Sequence, residues 1–462
     1  MSSGLFNSLG WPPIHQLAMV IGGTLYVAFL SRYFVSRRLK PFTFRPPQNN
    51  RSLIWLVKKL LLPIMLRRGS RIAKVDVNEL DLRRLRKLKN HRVVLTPNHS
   101  GGKEPYILFF LSKILEEEFN YLTAKEVFER LFPIGWLIQR LGAYSIVRGT
   151  VDKNSFRVTR QLLAEGKRWL VIFPEGAACG QNDTVMPFHQ GTAQFAFWAY
   201  EDLAKKGKLP PLYFVPIAIK YVYLRDMHRE IDRSLWRLER DLFPAQILQP
   251  SNLYHRLRSV GEAVLSVNER EHNVRPRKEA SLDERVQHMK ELIVSRVASA
   301  LGVSPPADRP LLDRIRELFN AIDQIVYSEF EGPDYERKLH QMRQQEVRGL
   351  YDDLSRVLRF VALYDGYVRE TLTAERFLDV LGLLEDEVFG RKRNWGPKKA
   401  LVKVGEPLNL IQYYGRYKTD KRGTLQEVTA ALESSVRQML NELSFPTKPM
   451  QQGSDTITQL SP

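Results

Sequence analysis

The sequence predicts an α/β protein: a mostly parallel central sheet flanked by helices, with a large all-helical insertion and an N-terminal membrane-associated segment. Three observations predict it. Between Arg71 and Tyr223 short apolar, strand-like runs alternate with helix-periodic stretches, the pattern of a largely parallel sheet. From about 224 to 395 the chain turns charged and helix-periodic, and a strand-like stretch, Lys399–Leu408, then returns. Ahead of both, residues 1–31 contain no Asp, Glu, Lys or Arg.

Residues 1–70 form the N-terminal region. Leu17–Leu30 is a hydrophobic run shorter than the roughly 20 residues that cross a bilayer, although Tyr33–Val35 can extend it past Arg32. Arg32, Arg37, Arg38 and Lys40 crowd its far side, which places the body of the chain on the cytoplasmic face of any membrane it touches. The absence of basic residues before the run argues against a secretory signal. A buried N-terminal helix is the alternative. Leu53–Arg68 is interrupted by Lys58 and Lys59 and broken by Pro63. With Trp55 among its apolar residues, it suits a helix lying in a membrane interface, or else one that caps the α/β domain.

The α/β part, residues 71–223, starts with a strand at Ile72–Val77, a basic helix at Leu80–Leu88 and a buried strand at Arg92–Leu95. An apolar helix follows from Tyr106, then a strand at Phe119–Thr123, a helix over Glu126–Arg140 broken at 132–135, and a strand at Tyr144–Val147. Asn154 or Ser155 caps the next helix and Gly166 stops it. Trp169–Phe173 and Tyr213–Tyr221 are strands around a buried helix, Thr192–Ala204. Within 224–395, Ser281-Leu282-Asp283-Glu284 is a capping box, and apolar stripes beginning at Val286, Leu311 and Leu350 read as seams of a helical bundle. Residues 396–444 bring the returning strand and an amphipathic helix, Leu425–Leu443; the polar tail 445–462 reads as disordered.

Two strand ends carry the candidate chemistry. Thr96-Pro97-Asn98-His99-Ser100-Gly101-Gly102-Lys103-Glu104-Pro105 joins a strand to a helix through a glycine-bearing turn. A carboxylate five residues after His99 can reach back to one imidazole nitrogen and fix the tautomer, leaving the other nitrogen for a hydroxyl proton. Phe173-Pro174-Glu175-Gly176 holds a second carboxylate at a strand end, where α/β sheets place their ligands.

Together these stretches resemble the glycerolipid acyltransferase family, which includes 1-acylglycerol-3-phosphate acyltransferases. His99 with Glu104 is similar to the first family block, Gly142–Arg148 to the second, Phe173–Gly176 to the third and Val215–Ile219 to the fourth. The resemblance covers roughly residues 70–222, and Lys399–Leu408 looks like the segment that ends the catalytic domain, which makes 224–395 an insertion in it. It implies transfer of a fatty acyl group from a thioester, acyl-CoA or acyl-carrier protein, to a hydroxyl of a glycerol-phosphate lipid, 1-acylglycerol-3-phosphate above all. His99 would be the base and Glu104 its orienter. Arg148 would hold the acceptor phosphate, Glu175 would bind the acceptor, and Gly176 would let it approach closely. Two departures bear on the acceptor. The first block usually ends in Asp, and the third usually continues with Thr or Ser and Arg, where this chain has Ala177-Ala178. Lys103, Arg148 or Lys220 would then compensate, or the acceptor lacks phosphate; a non-catalytic lipid-binding protein on the same fold is the remaining alternative.

Composition narrows the partners. A chain of 462 residues exceeds one ordinary core. Its net charge of +19 favours membrane lipids, a phosphorylated substrate or an acidic carrier protein. No nucleic-acid motif accompanies that charge, no metal-ligand cluster is visible, and the chemistry needs no cofactor beyond the acyl donor. The single cysteine, Cys179, excludes an intrachain disulfide and reads as a small packed thiol. Ser100 beside His99 is a poor nucleophile–base pair, and no Gly-x-Ser-x-Gly elbow supports a hydrolase.

Overall fold

A computed structural model of the chain describes residues 43–129, 133–149, 151–243, 252–275, 279–326, 328, 332–364, 366–369 and 373–444. The Leu17–Leu30 run and the tail 445–462 lie outside them. Among the described residues no helix is long and apolar enough to cross a membrane.

The strands are β1 (Ile72–Val77), β2 (Arg92–Pro97), β3 (Phe119–Ala124), β4 (Ala143–Ile146), β5 (Trp169–Val171), β6 (Leu212–Tyr223), β7 (Lys398–Val404) and β8 (Leu408–Asn409). They form one sheet in the order β1-β7-β6-β2-β5-β3-β4, with β8 on β6. From β6 to β4 every pairing is parallel. On the other side β7 and β8 run antiparallel to β6, and β1 is parallel to β7. The sheet is therefore mixed, with its parallel half where helices connect successive strands.

Period-two alternation gives the sheet two apolar faces. Val93, Leu95, Val215, Ile217 and Ile219 point to one, where they meet Ile107, Leu108 and Leu111 of the Glu104–Ile114 helix. Val94, Phe214 and Ala218 point to the other, against Phe197 and Tyr200 of the Gly191–Lys205 helix and Val428 and Val436 of the Lys421–Ser444 helix. The Lys153–Glu165 helix is capped by Asp152, whose Oδ1 accepts from Ser155 N at 3.0 Å, rather than by Asn154 or Ser155. Ser155 is instead buried inside its first turn. Gly166 ends it in the left-handed conformation, φ 65°.

Segment 51–69 is helical and two-faced. Asn50 caps it, accepting from Leu53 N, and α-helical turns alternate with wider π turns around Pro63, which lacks the N–H an unbroken α-helix would use. Ile54, Val57, Leu62 and Leu66 pack into the first core face. Trp55, Leu60 and Ile64, each more than half exposed, lie away from it beside Lys59 and Arg68.

Tyr223 at the end of β6 pairs with Lys398 at the start of β7, so the chain leaves and re-enters the sheet at one point. The helices between them bury two apolar clusters of their own. One joins the His228–Leu242, Leu253–Glu271 and Ala374–Phe389 helices through Leu235, Val260 and Leu381; the other joins Leu282–Leu301, Leu311–Val326 and Asp334–Arg359 through Ile293, Leu318 and Leu354. Ser281 and Glu284 make the reciprocal capping box at the start of Leu282–Leu301.

Candidate functional site

The turns after β2 and β5 meet at the carboxyl ends of these paired parallel strands. Pro97 cannot donate to the β2–β6 ladder, and the side chain of Asn98 takes over one step later. Its Nδ2 donates to Ile219 O at 3.0 Å and its Oδ1 accepts from Ile219 N at 2.7 Å. Asn182 repeats the device on Tyr221, donating to its O and accepting from its N at 2.8 Å each. Buried side chains thus replace strand hydrogen bonds and hold the His99 turn against β6.

Glu104 opens the Glu104–Ile114 helix, where the helix dipole favours an anion, and it is fully buried. Five donors converge on it. Oε2 accepts from His99 Nδ1 at 2.8 Å and Gly102 N at 2.9 Å, and Oε1 from Ser100 Oγ at 2.9 Å, Gly101 N at 3.1 Å and Tyr221 OH at 3.1 Å. Burial works against the ionised form, but the His99 bond and the backbone and Ser100 donors outweigh it and hold the carboxyl at about 2. Glu104, one methylene longer than Asp, therefore serves both as orienter of the ring and as the anchor of the turn. Gly101 and Gly102 spend their N–H groups on it, so they are not free to serve an oxyanion. Gly102 sits at φ 77°, in the region that favours glycine.

The His99 ring is stacked on Phe173, with centroids 4.3 Å apart. Its Nδ1 is committed to Glu104, which directs Nε2 away from the protein interior while the side chain stays one-fifth exposed. Such a ring can accept a proton at Nε2 and hand it on.

Glu175 is fully buried and both its oxygens are occupied: Oε1 accepts from His99 N at 2.6 Å, and Oε2 from Met186 N at 2.7 Å. Burial pushes its carboxyl up to about 7 against these two donors. In this geometry its side chain ties the β5 turn to the His99 turn. Cys179 N donates to His99 O and Gly180 N to Ser100 O, adding two further ties. The Cys179 thiol is buried and its ionisation pushed up, which leaves a packed, unreactive sulfur.

Gly176 has φ 68°, and a Cβ there would stand 2.5 Å from Arg316 Nη2. That guanidinium comes from the Leu311–Val326 helix and donates to Glu175 O at 3.0 Å. Arg148 lies on the same side: Nη1 donates to Gly176 O, Nη2 pairs with Glu126 at 3.2 Å, and Asn320 Nδ2 donates to Arg148 O at 2.8 Å. Lys220 is buried in an ion pair with Asp183. Of the cations that sequence nominated for an acceptor phosphate, Arg148 and Lys220 are thus engaged by protein groups.

Lys103 is placed differently. It lines a cleft of about 240 Å³ beside the His99 turn, together with Ser100, Gly101, Tyr221, Lys392 and Lys398. Its Nζ donates to Asn394 Oδ1 at 2.6 Å and Ser70 O at 3.2 Å. Burial and the neighbouring Lys398 and Lys392 push its ammonium down to about 7, and burial pushes Lys398 down too. On the far wall burial raises the carboxyl of Asp379 to about 6. The Nε1–H of Trp395, another lining residue, is buried and finds no hydrogen-bond partner among the described residues. Nothing local in the sequence distinguishes Tyr221, Asp379, Lys392, Trp395, Lys398 or Arg316 from helix or strand surface.

Residues 76–220 match the family model described as Acyltransferase, a span that includes both turns and Arg148. No curated protein matches the chain. The chain thus carries an acyltransferase domain and is an acyltransferase.

Proposed function

We propose that this acyltransferase moves a fatty acyl group from a thioester, acyl-CoA or acyl-carrier protein, to the hydroxyl of a phosphate-bearing glycerolipid, 1-acylglycerol-3-phosphate being the leading acceptor. The observation that carries the reading is the His99–Glu104 pair opening beside a cleft rich in lysines. His99 Nε2 takes the hydroxyl proton as the oxygen attacks the thioester carbonyl carbon. The tetrahedral intermediate then collapses, the C–S bond breaks, and the same proton passes from the imidazolium to the leaving sulfur. Glu104 keeps Nδ1 protonated and stabilises the transient cation. No acyl-enzyme is needed, because the acceptor is the nucleophile.

For the acceptor phosphate, the cleft offers Lys392 together with Lys103 and Lys398, whose ammonium groups, pushed down by burial, would be held protonated by an arriving phosphate, and the Trp395 Nε1–H as a further donor. Both Nη atoms of Arg148 are already engaged, by Gly176 O and Glu126, and Arg148 is not among the residues lining the cleft. Glu175 positions the His99 turn, and Gly176 keeps room for Arg316. We place the reaction on a cytoplasm-facing membrane. The exposed Trp55, Leu60 and Ile64 face, flanked by Lys59 and Arg68, would lie in the interface, together with the uncharged N-terminal stretch.

The test is incubation of purified protein with radiolabelled acyl-CoA or acyl-carrier protein and, side by side, lysophosphatidate and an uncharged monoacylglycerol. Acylated product only in the presence of lysophosphatidate, with a KM raised at least tenfold in Lys398→Met, is the expected result. Equal use of both acceptors would assign a non-phosphorylated substrate, and no turnover with either would leave the lipid-binding alternative.

A further inference from the structure

The helices between β6 and β7 line a second pocket, half open to solvent, with about 960 Å³ of empty space when its mouth is included. Its walls come from the Leu253–Glu271, Leu282–Leu301, Asp334–Arg359 and Ala374–Phe389 helices and the turn at 360–364. The lining is apolar over most of its extent, with Leu257, Val264, Met289, Ile293, Phe360 and Leu384 facing inward. A surface of that kind excludes sugars, nucleotides and hydrated ions and suits a hydrocarbon chain.

Of the charged residues that also line the cavity, Arg258, Asp283, Lys290 and Arg356, only Lys290 is buried. It is only 5% exposed and lines the cavity. Its Nζ meets Val361 O and Leu363 O at 3.4 Å each, long for N–H···O bonds. Asp283, two helical turns back at the rim, lends it some charge compensation, but burial still pushes the ammonium down to about 8. A buried cation without a close carboxylate is costly, and an entering anion would supply the missing counter-charge.

Gly261 is the independent second observation. It stands in the interior of the Leu253–Glu271 helix, where glycine is a poor helix former, and it lines the cavity. A Cβ built there meets nothing within 4 Å. Backbone crowding therefore does not require the glycine. What it does is keep volume open beside Lys290's apolar surroundings.

We propose that this cavity is a binding site for a long-chain fatty carboxylate, its hydrocarbon chain among the apolar walls and its carboxylate on Lys290 Nζ. The site is separate from the catalytic cleft, although the Ala374–Phe389 helix is a wall of both: Val380 and Leu384 face the cavity, while Leu378 and Asp379 face the cleft. It does not depend on the identity of the acyl acceptor.

The experiment titrates dodecanoate and dodecanol calorimetrically into the full chain and its Lys290→Met, Gly261→Leu and His99→Ala variants, each first checked for native circular dichroism. Dodecanoate should bind wild type and His99→Ala at one saturable site with equal affinity. Lys290→Met should weaken dodecanoate at least tenfold and leave dodecanol unchanged, and Gly261→Leu, which favours the helix while filling the space, should abolish both. The proposal is overturned if wild type shows no saturable dodecanoate binding, if folded Gly261→Leu binds as wild type does, or if dodecanol binds wild type as well as dodecanoate. Binding to His99→Ala, which cannot turn over, keeps a failure here distinct from a failure of the acyl-transfer reading.

Discussion

Replacing Glu104 with Gln removes one charge and no volume, yet the structure demands a large effect. Every partner of this carboxylate is a donor. An amide has one acceptor oxygen, so its NH2 must face donors wherever it is placed. If the NH2 takes the Oε2 position it confronts His99 Nδ1 and Gly102 N. The ring can relieve that only by shifting its proton to Nε2, which destroys the base. If the NH2 takes the Oε1 position, the Ser100 and Tyr221 hydroxyls can rotate and accept, but Gly101 N is orphaned. The carboxyl falls from an ordinary 4.5 to about 2 on folding, which corresponds to roughly 3 kcal/mol. Because the folded value is the lower one, this stability is present above pH 4.5 and is lost as the pH falls towards 2. Glu104→Gln should therefore unfold in urea at pH 7 with about 3 kcal/mol less stability, a gap that narrows on acidification. Its turnover should fall about 10³–10⁴-fold, as when a catalytic histidine is held in the wrong tautomer. Initial-rate assays with radiolabelled acyl-CoA, run beside urea titrations at pH 7 and 4, measure both. Turnover within tenfold of wild type, or an unchanged urea midpoint at pH 7, would refute the reasoning.

Three further outcomes follow from the same geometry. His99→Ala removes the base and should abolish acyl transfer while costing about 1.5–3 kcal/mol for the lost bond to the buried Glu104 carboxylate, so a folded variant with most of its turnover would disprove the assignment. Gly176→Ala places a Cβ against Arg316 at positive φ and should cost more than about 1 kcal/mol, read as a lowered thermal midpoint; an unchanged midpoint would show that Arg316 can step aside freely. Leu60→Ser with Ile64→Ser alters only exposed side chains, so stability should move by no more than about 0.5 kcal/mol while flotation with anionic vesicles drops several-fold; undiminished flotation would move the membrane contact elsewhere.

The sequence by itself determined what local chemistry determines. Alternating apolar runs marked strands later found at β1, β3, β4 and β6, the capping box at Ser281 formed as written, and Gly166 stopped its helix in the left-handed conformation. The His99–Glu104 contact was legible too, because five residues across one glycine turn leave a carboxylate few other places to go. Each of these is settled within a turn or two of chain. Only the tertiary structure decided the rest. Tyr221 reaches Glu104 from 117 residues away, and Arg316 reaches the Glu175 turn from 141. Lys392 and Lys398 join Lys103 only because β7 returns to pair with β6. The antiparallel half of the sheet was equally hidden, since a strand's direction depends on which neighbour it finds and not on its own residues. Arg148 shows the same limit from the other side. Its resemblance to the family's second block marked it as a phosphate ligand, but Gly176 O and Glu126, brought to it by folding, already engage both of its Nη atoms. A side chain's type is fixed by sequence; whether its hydrogen bonds are free for a substrate depends on which distant groups the packed core delivers to it.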